Sequence, residues 1–187
     1  MDFEARAEVI EVYEPQAVPG LLQIKEYARD SLGRQEDLTE GQVEERVNAR
    51  MSRQERLHSA ARPYRWVITD EAVLRRHAGG RECLHKQLAR LLEQVDTPDS
   101  KVQVMPFSAG PYPLTGGALN LLSLPDGSTM AYEEGIEAAH LHEDPEAVKK
   151  WRRRYEVLRA NALSLAESAD LVRKAMEDYK PCDTQPS

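Results

Sequence analysis

Cysteine is scarce in this sequence: Cys83 and Cys182 are too few and too far apart for a disulfide framework. Positive charge is also short. Lys and Arg number 25 against 32 Asp and Glu, and at a formal charge of −7 the chain repels a phosphate backbone unless its cations gather on one face. No apolar run approaches a membrane span, and "MDFEARAEVIEVY" places acids where a signal peptide needs a basic start and an apolar stretch. Internal repeats and low-complexity segments are lacking too. These absences argue against a secreted disulfide scaffold, a membrane protein and a chain that binds nucleic acid by itself. They predict a soluble protein of the reducing cytoplasm.

Signatures of chemistry are equally thin. His58, His77, His85, His140 and His142 join no Cys or Asp at zinc-site spacing. His140-x-His142 with Glu143 and Asp144 comes nearest, and at the entrance to a helix it reads as a solvated cap. No Ser or Cys has an elbow or partner motif that would make it a nucleophile. "FSAGPYPLTGG" (107–117), with Tyr112 between two prolines, has the glycines of a phosphate cradle, but no GK[ST] follows and no helix begins there. It reads as a plain connector or as a lid over a pocket. No metal, cofactor or catalytic residue is assigned.

What is present suits one folded domain. The length of 187 residues, 41% hydrophobic and 30% charged, fits a single core. Ile10 and Val12 alternate with Glu11 and Tyr13 as a short strand or extended entry, and Pro15 and Pro19-Gly20 then impose a turn. A helix over about 39–57 follows a shorter one that ends near Gly33. "YRWVIT" (64–69), "KVQVMPF" (101–107), "GALNLLSL" (117–124) and "STMAYEE" (128–134) read as strands, the last two joined by the hairpin signal Pro125-Asp126-Gly127. "DEAVLRRHAGG" reads as a short helix that Gly79-Gly80 stops, and Leu84, Leu88, Leu91, Leu92 and Val95 form one helical stripe. "DPEAVKKWRRRYEVLRANAL" starts a helix on an Asp cap and an early proline, and "SLAE" offers a capping box to the last helix. The predicted fold is α+β: a small, mostly antiparallel sheet of about four strands covered by helices, over residues 1–179, with a flexible tail at 180–187.

One conflict stands out. On the helix at 39–58, Val43, Val47, Met51 and Leu57 define the apolar face, and Arg50 and Gln54 fall inside it. Arg50 either pairs with an internal Glu and organises the core, or meets an anionic ligand. Glu133 and Glu134 end a strand, where alternation sends one inward and the other to solvent. If one of them meets Arg50, the core pairing holds. "KKWRRR" (149–154) spreads its cations around a helix while Trp151 turns to the core, and reads as a solvated face laced with Glu146 and Glu156.

Together, "YEPQAVPGLLQIKEYARDSL", "ARMSRQERL", "ITDEAVLRR", "VQVMPFSAG" and "DPEAVKKWRRRYEVLRANALS", in this order, resemble the domain of unknown function 5753 that forms the C-terminal part of many actinobacterial Xre-type helix-turn-helix regulators. The resemblance covers about residues 8–176. It implies an effector-sensing or partner-binding module that normally follows a DNA-binding domain, here without a helix-turn-helix before it, and it carries no catalytic residue. Three functions follow as expectations. The first is a ligand-binding domain with a pocket bounded by the "VPGLLQ" turn, Arg50, Gln54, Trp66 and the 107–117 loop. Gln23, Tyr13, Glu133 and Tyr112 complete its candidate residues. The second is a free-standing relative recruited into specialised metabolism for a cofactor-independent cyclisation or isomerisation. The third is an interaction domain that dimerises or holds a partner protein.

Overall fold

Residues 4–57, 62–114, 116–135 and 138–180 are described by the structure, a computed structural model. His58, Cys182 and the tail from residue 181 lie outside the described residues. Seven strands form one sheet: β1 (Val9–Glu14), β2 (Tyr64–Asp70), β3 (Asp96–Thr97), β4 (Ser100–Met105), β5 (Ala118–Ser123), β6 (Thr129–Glu134) and β7 (Ala139–His142), in the order β3-β4-β2-β1-β5-β6-β7. β1, β2 and β4 are parallel neighbours, with Val12 opposite Val67 and Val67 opposite Val102. The remaining pairings are antiparallel.

The expected small, mostly antiparallel sheet of about four strands is therefore wrong: the sheet is seven-stranded and mixed. Two physical causes account for this. Parallel strands are joined by long crossovers that leave no hairpin signal in the sequence, and the β1–β2 crossover contains α1 (Lys25–Gly33) and α2 (Glu40–Leu57). In addition, β7 ("AHLH") is short, largely exposed and free of β-branched residues, so it carries no strand signature.

Alternation along the strands sorts side chains to two faces. Ile10, Val12, Val67, Val102, Val104 and Leu122 point to one face, where they pack with Leu84, Leu88 and Leu91 of α4 (Gly80–Glu93) and Ala169, Val172 and Ala175 of α6 (Leu165–Asp178). Tyr13, Ile68, Met105, Leu119 and Leu121 point to the other, under Val148, Tyr155 and Leu158 of α5 (Pro145–Asn161). The result is a layered α/β/α arrangement. α1 and α2 join through a third cluster of Ala28, Leu32, Val43 and Val47.

Local chemistry fixes the helix ends. The Asp144 carboxylate accepts from Ala147 N at 2.9 Å ahead of Pro145, and Ser164 and Glu167 form the reciprocal capping box of α6. Gly79-Gly80 serves differently from its expected role. The short helix α3 (Glu71–Arg75) ends before it, and Gly79, at φ 70°, introduces α4. A Cβ on Gly79 would lie 2.6 Å from Cys83 Sγ, so the chain has no room there for another residue. Among the described residues no helix is long and apolar enough to cross a membrane.

Candidate functional site

The prolines that interrupt the chain after β1 leave a turn whose backbone joins no ladder, with one 3-10 turn at Gly20–Leu22. Side chains from elsewhere satisfy it. Gln23 Nε2 donates to Val18 O at 2.6 Å, and the Tyr27 hydroxyl accepts from Val18 N at 3.2 Å. Gln54 of α2 donates to Gly20 O at 2.7 Å and Gln23 O at 2.9 Å. Gln87 of α4, wholly buried, accepts from Ile24 N at 2.8 Å and donates to Leu22 O at 2.9 Å. Leu21 and Leu22 meanwhile anchor the turn in the core. Three glutamines thus hold an irregular segment rigid, because buried backbone groups must find partners.

Beside this turn lies a cavity of about 1020 Å³. Its floor is the half of the sheet that α4 and α6 leave uncovered: Val12 and Glu14 of β1, Asn120 of β5, and Tyr132 and Glu134 of β6. The turn and Arg50 and Arg53 of α2 make the wall. Arg50 is half-buried, lies against Gly20, and donates through Nη1 to Gln23 Oε1 at 2.5 Å. Among the described residues it forms no ion pair. Burial pushes its pKa down, as does neighbouring Arg53, while Glu134 and Glu14 act against the shift. Glu134 therefore faces Arg50 across the cavity without closing the internal pairing.

Glu14 is the acidic counterpart. Burial raises its pKa, the backbone N–H groups of Gln16 and Ala17 pull it back, and Glu134 adds to the rise. Arg53 is engaged by Glu4, although Arg53 Nε and Glu4 Oε2 are buried without a hydrogen-bond partner among the described residues.

The sheet separates the remaining candidates from Arg50. Tyr13 is fully buried on the α5 face, where its hydroxyl donates to the Tyr112 hydroxyl at 2.9 Å, and Tyr112 donates to Asp70. Burial and the Tyr112 contact push Tyr13 far above the ordinary tyrosine range. Burial and the bond to Asp70 push Tyr112 up to about 12. This hydrogen-bond chain pins the segment at Tyr112 to the sheet; it does not supply a ready acid at neutral pH. Trp66 donates from Nε1 to Gln103 Oε1 at 2.7 Å, with the Arg159 guanidinium 4.9 Å from its ring centre. Glu133 lines a smaller cavity of about 430 Å³ with His140 and Trp151, and its carboxylate lies 3.7 Å from His142 Nε2.

Of the seven candidates, the structure brings Arg50, Gln54 and Gln23 together at the turn, and places Tyr13, Trp66, Glu133 and Tyr112 on the opposite face. The basic run on α5 also departs from a purely solvated face. Arg152 reaches inward to the buried Glu11 at 2.6 Å, and Arg159 lies 3.8 Å from the same carboxylate. Glu14, Asn120 and Tyr132 were missed by sequence reasoning. A signal for Glu14 existed, since it continues the Ile10–Val12 alternation onto the same face. Among the described residues no group of three His, Cys, Asp or Glu side chains could hold a metal ion.

Comparison with protein-family models matches residues 1–174 to a domain of unknown function, DUF5753. No curated protein and no solved structure matches.

Proposed function

The chain belongs to the DUF5753 family, and from that premise we propose that it is the effector-binding part of an Xre-like transcriptional regulator, which takes a small molecule into the cavity at Arg50. One observation carries this reading: Arg50 is half-buried in a roomy cavity, its side-chain hydrogen bond goes to the neutral amide oxygen of Gln23, and no acid among the described residues pairs with it. Desolvating a guanidinium is unfavourable unless an anion or several acceptors compensate. A charged hydrogen bond from a ligand would return about 1.5–3 kcal/mol. The cavity lies at the upper end of the range for small-molecule sites, and the glutamine-braced turn gives it a preformed wall. The regulatory setting rests on the resemblance to C-terminal domains of helix-turn-helix regulators.

The test is Arg50→Ala, melted with and without fractions of a cell metabolite extract. The wild type should gain thermal stability in at least one fraction, while the folded variant gains none in any. Equal stabilisation of both proteins would overturn the reading. A large drop in the variant's melting temperature, with no fraction stabilising the wild type, would assign Arg50 to the core instead.

A further inference from the structure

Only some of the cavity's charges are matched internally. Arg53 is held by Glu4, which leaves Arg50 on the α2 wall facing Glu14 and Glu134 on the floor. None of these three forms an ion pair with another, yet each lies within electrostatic range of the other two. The two acids are arranged by the sheet. Ala118 pairs with Glu134 and follows Leu119, the partner of Tyr13, in the antiparallel direction. The short Ala118 side chain therefore stands between two carboxylate-bearing positions on one face, whose backbones are about 10 Å apart at two strand spacings. Glu14 is half-buried at the back of this cradle and Glu134 is exposed at its mouth.

A purely anionic ligand on Arg50 would sit against two carboxylates, and a purely cationic one would leave the guanidinium unmatched and repel it. Resting on the ligand-binding reading above, we propose that the cavity takes an amphoteric small molecule: its anionic group lies on Arg50, and its protonated amine lies between Glu14 and Glu134. Val12, Leu122 and Leu141 supply apolar floor beside these charges, so a carbon skeleton between the two groups has surface to cover.

The experiment titrates the isotope-labelled chain with leucyl-leucine, its N-acetyl form and its C-terminal amide at millimolar concentration, following backbone amides by NMR. The free dipeptide should shift amides of β1, β5 and β6 around Glu14, Ala118 and Glu134, and each blocked form should bind at least about tenfold more weakly, since each loses one charge-assisted contact. Glu134→Gln, a change at the cavity mouth, should shrink the penalty for acetylation and leave that for amidation. Equal binding of the free and blocked forms overturns the amphoteric assignment. Absence of any cavity shift overturns it as well. If the chain nevertheless holds a small molecule in its native mass spectrum, as purified or after incubation with metabolite extract, the ligand-binding reading survives alone; if that spectrum shows the bare chain under both conditions, both fall.

Discussion

Glu14 shows how a single side chain is set by its place on a strand. Alternation after Ile10 and Val12 directs it to the face that becomes the cavity floor, where burial favours its neutral form. A carboxyl whose folded pKa is raised binds its proton more readily in the native state, so its contribution is full below the unfolded value near 4.5 and is lost as pH rises through the folded pKa. Glu14→Gln should therefore raise the melting temperature at neutral pH, and the gain should shrink as pH falls below that value; a constant difference across this range would contradict the assignment. Arg50 and Gln54 could be found in the sequence because they interrupt an apolar helical stripe. Tyr13 and Trp66 could be recognised as inward-facing, but the side of the sheet they face is decided by strand pairing, which no single segment records.

At the scale of elements, the turn after β1 is where sequence and structure agree in kind and differ in support. Prolines and a glycine announce a break in regular structure. They do not announce that α2 and α4, separated from it along the chain, each contribute a glutamine to hold it. Gln87→Leu keeps the bulk and strands the Ile24 N–H and Leu22 carbonyl, at a cost of about 1–3 kcal/mol. Chemical denaturation should show that loss, and hydrogen exchange should speed at Ile24 and Leu22 ahead of the sheet. Unchanged exchange at the turn would mean that Gln87 does not brace it. Helix ends were the most legible elements, because caps such as Asp144 and the Ser164–Glu167 box act within one turn of sequence.

The whole molecule depends on a contact pattern that short-range signals convey poorly. The antiparallel β5–β6 hairpin could be read from Pro125-Asp126-Gly127, whereas the parallel trio β1, β2 and β4 pairs across two crossovers and extends the sheet beyond the expected size. That wider sheet has a functional consequence. α4 and α6 cover one half of a face, and over the other half the turn and α2 wall the cavity at Arg50, whose floor is formed by β1, β5 and β6. The most direct measurement is native mass spectrometry of the purified chain beside its denatured spectrum, with Arg50→Ala run in parallel. A small organic mass that accompanies the folded wild type, disappears on denaturation and is missing from the folded variant is the predicted result. Wild-type spectra that show the bare chain mass under both conditions, even after incubation with metabolite extract, would contradict it.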